Sequence, residues 1–294
     1  MAISNDLGQQ HEVTLPQGTI SYRERGTGDP IVFVHGALVN ADLWRKVVPR
    51  LAKDHRCIAP DLPLGSHERP LPADADLSPP AAAKLIADFI AALKLENVTL
   101  VGNDTGGALC QLVVTRHPER IGRLVLTNCD AYDKFPPSFF RYLFLGAHIP
   151  GFVTALFQPM RIKANRNSPI AYGWLAKRGI PAEITKGWVQ PGLHNRAVRR
   201  DTAKLLKGAH PRYTQEAAAR FGEFDKPVLI AWGQEKDFFP KEYGERLARD
   251  FPQGRLERIE DSYTFVPEDQ PERLAQLIAE FAREPAGSTG VTAP

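Results

Sequence analysis

Cysteine is scarce: Cys57, Cys110 and Cys129 are the only three, odd in number and widely spaced. This argues against a disulfide framework, offers no metal-ligand spacing, and leads us to expect buried reduced thiols in a cytoplasmic protein. No apolar run approaches the roughly 20 residues of a membrane span. The first residues, Met1 to Gln10, also lack the basic region and apolar core of a secretory signal. A membrane partner is therefore not expected. Charge of one sign is lacking too, since 37 Lys and Arg against 34 Asp and Glu leave a net charge of +3. That is too little to call for a nucleic-acid surface, and the cluster Arg196, Arg199 and Arg200 reads as a solvated helix face. Internal repeats are absent, and no histidine follows His210.

What the chain does have is enough apolar material, 43% of 294 residues, to bury a large core without disulfides or metal. Up to about residue 130, apolar strand-like runs alternate with helical stretches such as Ala81–Leu93, the pattern of a mostly parallel α/β sheet. Between 131 and 224 the strand signal gives way to helical segments broken by Pro and Gly. Phe135, Phe139, Phe140, Tyr142, Phe144, Trp174 and Trp188 concentrate there. We therefore expect a core formed by 1–130 and 225–283, a helical lid over 131–224, and a flexible tail over 284–294. Aromatics in a lid either pack its helices or line a cavity. A small apolar or aromatic substrate is the expected partner, with the chain as monomer or homodimer and no cofactor.

The most informative stretch is Val101-Gly102-Asn103-Asp104-Thr105-Gly106-Gly107, in which an acid stands between two glycines where an apolar run turns into a helical one. A strand that turns sharply into a helix strains its central residue and needs small neighbours. Asp104 then sits beside the helix N-terminus, where N–H groups and the dipole favour an anion, and is expected to be ionised and able to attack carbon. The same pentapeptide can equally be an Asp that only caps the helix.

The flanking residues resolve this. Upstream, Ile31-Val32-Phe33-Val34-His35-Gly36-Ala37 is a buried-strand run ending in His-Gly, and Arg123–Asn128 and Pro227–Trp232 continue the series. In this order the chain resembles the α/β-hydrolase superfamily. The resemblance implies the α/β-hydrolase fold, with backbone N–H groups of Ala37 and Thr105 forming an oxyanion hole and Asp237 as the orienting acid. An Asp at the elbow is similar to the haloalkane dehalogenase and epoxide hydrolase subgroup. That subgroup would place a histidine after the last strand, where this chain has Asp261-Ser262-Tyr263-Thr264-Phe265. Alignment on Asp261, Phe265, Glu268 and Pro271 puts Thr264 at that position, and all eight histidines precede Asp237.

That histidine would activate water to hydrolyse an ester on the Asp, and a neutral Thr hydroxyl cannot take the proton near pH 7. Three explanations stay open: a substitute base, chemistry that needs none (elimination, isomerisation or ring closure), or a receptor that only binds. The substitute candidates are Asp130, which otherwise reads as an N-cap for the lid, and His194, which otherwise reads as a surface residue. His35 reads as structural. Halide-holding Trp and Asn are not found at Thr105 and Ala37, where the resemblance would place them. Tyr132, Tyr142, Tyr172 and Tyr213 are candidate proton donors to an epoxide oxygen, or plain packing residues.

Overall fold

A computed structural model describes residues 3–235 and 238–284. Eight strands form one sheet: β1 (Gln9–Leu15), β2 (Gly18–Arg25), β3 (Pro30–Val34), β4 (Arg56–Pro60), β5 (Val98–Asp104), β6 (Ile121–Cys129), β7 (Val228–Gly233) and β8 (Gly254–Ile259). The unbroken apolar runs of the sequence arise because successive strand side chains face opposite ways and both faces are covered. In β3, Ile31 and Phe33 enter one hydrophobic core while Val32 and Val34 enter the other. β7 divides likewise, with Val228, Ile230 and Trp232 on one side and Leu229 and Ala231 on the other.

The strand order is β1-β2-β4-β3-β5-β6-β7-β8. β2 pairs antiparallel with β1 and β4, and every other pair is parallel. The order reverses at β3 and β5, because the chain leaves β3 toward β4 on one side and β5 toward β6 on the other. Loops that part in this way leave a crevice at the carboxyl ends of the two strands, the usual ligand position in an open α/β sheet. The helices Pro79–Ala92 and Thr105–Arg116 cover one face, and Pro271–Arg283 covers the other.

Between β6 and β7 the regular structure among the described residues is helical, apart from one isolated bridge, Ala131 to Lys134, and the helices are separated by turns and irregular segments. Its longest helices are Ala182–His194 and Arg196–Gly208. This insertion is tied to the loop after β8 through Asp269, whose buried carboxylate accepts the N–H groups of Lys177, Arg178 and Tyr263 at 2.9, 3.0 and 2.9 Å. The three cysteines are buried and unpaired. Glu284, the first residue of the expected tail, is held by Arg255 at 2.8 Å, and residues 285–294 lie outside the described residues. No described helix is long and apolar enough to cross a membrane.

Candidate active site

β5 ends at Asp104, which also caps the Thr105–Arg116 helix, with φ 54° and ψ −133°. An L-residue holds such a conformation only where its surroundings impose it. Three glycines do so here. A Cβ at Gly36 would lie 2.2 Å from Asp104 Oδ2, and one at Gly106 would lie 2.4 Å from the carbonyl oxygens of Val34 and His35. At Gly102 it would come within 2.7 Å of Cys110 Sγ. The preceding residue, Asn103, fixes the turn sideways, its Nδ2 donating to Thr127 Oγ1 (2.7 Å), the Asn128 carbonyl (3.3 Å) and the Thr264 carbonyl (2.8 Å). One amide group thus joins β5, β6 and the loop after β8. Sequence reasoning missed Asn103 and the steric role of Gly36, although both stand inside the motifs it singled out.

The backbone N–H groups of Ala37 and Thr105, the donors proposed from the sequence, face the Asp104 carboxylate and favour its charged form. The expected full ionisation needs correction. Loss of water around the carboxylate outweighs those two donors and pushes it up to about 7. Near neutral pH both forms of Asp104 are therefore populated. Asp130, directly after β6, is buried; its Oδ2 accepts from Thr105 Oγ1 at 3.2 Å, and Oδ1 has no partner among the described residues. Burial first, and then the charge of Asp104, raise it well above the ordinary carboxylate range, so the two acids resist being ionised together. It does not cap a helix, since the next one begins at Ser138.

Asp104 and Thr105 form part of the wall of a mostly apolar cavity, with Leu38, Phe140, Phe157, Met160, Leu175 and Val189 around it. Among the described residues, no Lys, Arg or His lines it. Tyr142 and Tyr172 do, but their hydroxyls donate to the carbonyls of Ile170 (2.9 Å) and Leu38 (2.6 Å), so neither is free to protonate a substrate in this arrangement. Tyr132 and Tyr213 lie off the cavity, bonded to Asp250 and Arg212. Thr264 is buried behind the wall, held to Asn103 by its carbonyl, and the N–H of Phe265 donates to the Leu175 carbonyl at 2.7 Å.

His194 is exposed and away from the cavity, which overturns its candidacy. The buried stripe of its helix runs through Trp188, Val189, Gly192 and Leu193, and the next residue turns outward. His35 is buried, with Nδ1 on the Gly36 carbonyl and Nε2 accepting from the Leu62 N–H, both at 2.9 Å; burial lowers it to about 4. It is a neutral brace for the loop after β3. Asp237 lies outside the described residues.

Residues 31–277 match the family model described as Alpha/beta hydrolase family. The chain belongs to the alpha/beta hydrolase family. It is 30% identical over 288 residues to Haloalkane dehalogenase 2 of Mycobacterium tuberculosis, covering 90% of this chain and 91% of that one. It is 25% identical over 289 residues to a cis-3-alkyl-4-alkyloxetan-2-one decarboxylase of Shewanella oneidensis, covering 94% and 89%. A haloalkane dehalogenase loop variant of Bradyrhizobium elkanii shares the fold, with a TM-score of 0.76 at 20% identity over 93% of this chain and 96% of that one. These alpha/beta hydrolase relatives bear names for different reactions. Membership therefore does not choose the chemistry, which rests on this chain's own residues.

Proposed function

We propose that this protein is a cofactor-independent enzyme in which Asp104 attacks an electrophilic carbon of a small apolar substrate held in the cavity. The observation that carries this reading is the backbone-strained Asp104, whose carboxylate faces the amides of Ala37 and Thr105 and opens onto a mostly apolar cavity. One Asp104 oxygen forms the new C–O bond, and the leaving group departs with the bonding electron pair. The ester carbonyl oxygen then stays in reach of the same two N–H groups, which also suit the oxyanion formed when water adds to the ester carbon.

Water addition needs a base. Thr264 cannot serve, and among the described residues the cavity wall carries no histidine. Asp130, one hydrogen bond from Thr105, is the acid placed to influence the charge of Asp104, and Asp237 remains the acid that the resemblance assigns. Release of the ester is accordingly the slow step. A carboxyl held at about 7 also favours a second reading, in which Asp104 acts as a general base for elimination or ring closure. In either reading, Asp104→Ala abolishes turnover while the melting temperature stays within a few degrees of the parent. Full activity in freshly prepared Asp104→Ala would remove Asp104 from the mechanism.

A further inference from the structure

From Lys134 to Ala182 the chain has no aspartate or glutamate, against seven lysines and arginines. All six large apolar side chains that stand exposed among the described residues fall in this segment: Phe139, Tyr142, Leu145, Ile149, Ile162 and Ile170, the last four at 60–63%. Tyr142 and Ile170 also line the cavity, so its apolar surface continues outward through them. Leu145 lies one turn beyond Tyr142 on the Arg141–Gly146 helix and shares its side. Arg141, Arg161 and Lys163 are exposed and make no ion pair with a described carboxylate; Arg161 donates only to Gln158, at 3.0 Å. Elsewhere exposed cations pair readily, as in Arg258–Glu245 and Arg220–Glu223, at 2.8 and 2.7 Å.

We propose that this face docks on an anionic lipid surface. Leu145, Ile149 and Ile162 enter the headgroup layer, Arg141, Arg161 and Lys163 meet lipid phosphates, and the cavity mouth turns to the bilayer, so that an apolar substrate enters from lipid. Apolar side chains mixed with cations and no acid are complementary to anionic headgroups above hydrocarbon. A second copy of the chain fits less well, because a two-fold contact through this face would set its cations against themselves. The expectation of no membrane partner rested on the lack of a spanning run, which excludes crossing and not docking. The inference goes beyond the chemistry proposed for Asp104 and does not depend on it.

The test is flotation of the full chain with vesicles of phosphatidylcholine alone and of phosphatidylcholine and phosphatidylglycerol in equal parts. Binding is expected to the anionic vesicles only, and to weaken with added salt. Leu145→Glu with Ile149→Glu and Ile162→Glu, and separately Arg161→Glu with Lys163→Glu, should each cut the bound fraction about tenfold. Circular dichroism should be unchanged, since these side chains are exposed. No flotation with anionic vesicles, or equal flotation of the parent and both variants, overturns the proposal. So does light scattering that shows a parent dimer, converted to monomer by the apolar triple variant, without vesicle binding.

Discussion

Asp104 is poised by opposing effects: two amides and a helix N-terminus favour the anion, while burial in an apolar cavity favours the acid, and burial prevails. Asp61 shows the same conflict outside the cavity. Its carboxyl accepts the Glu68 N–H at 3.0 Å, Oδ1 has no partner among the described residues, and burial pushes it up to about 8. A carboxyl raised above its unfolded value near 4 contributes stability that is fully present below about pH 4 and lost as pH rises through 8. Asp61→Asn should remove that loss, so that the variant's advantage in urea unfolding grows between pH 5 and pH 8 by about 1–3 kcal/mol. A constant difference across that range would show that Asp61 titrates normally. None of this was legible in the sequence. Motifs identified Asp104, Ala37 and Thr105, but solvent access and bonding decided the ionisation of Asp104, the engagement of Tyr142 and Tyr172, and the exclusion of His194.

At the scale of elements, the meeting of β3, β5 and the Thr105–Arg116 helix depends on close approach of backbones. The neighbours of Gly106 are carbonyl oxygens of β3 and its loop, which cannot rotate away as a side chain can. Gly106→Ala should therefore cost about 1–3 kcal/mol and also lower activity, because the helix that positions Asp104 must move. Gly222, with nothing within 4 Å of an added Cβ, serves as the control, and its change to Ala should be near neutral. Equal unfolding midpoints for the two variants would contradict a crowded elbow. These elements were readable beforehand for a physical reason. Strands covered on both faces are continuously apolar, as β3 and β7 are, and the helix after β5 begins where the glycines do. The loops were not readable, since their course is set by contacts such as those of Asn103 and Asp269 with distant segments.

At the scale of the whole molecule, the helical insertion and the sheet enclose the cavity together, and Asp269 is one of the ties between them. Asp269→Ala leaves three part-buried N–H groups without that acceptor and should cost about 1–3 kcal/mol. Trypsin cleavage after Lys177 or Arg178 should quicken in the same variant; unchanged cleavage would show that other contacts hold this edge. In the proposed chemistry the enclosure limits water at Asp104, so that an alkyl ester on its carboxylate would persist long enough to be detected. If Thr264 fails only as a base, Thr264→His should shorten the life of an ester on Asp104 by about 10²-fold. The most direct measurement is the mass of the peptide containing Asp104 after the parent protein is incubated with a small primary bromoalkane. One added alkyl group on that peptide, forming faster as pH rises through 7 and absent from Asp104→Ala, is the expected result. Turnover of the bromoalkane with no added mass on that peptide, or an adduct that persists in Asp104→Ala, would contradict attack by Asp104.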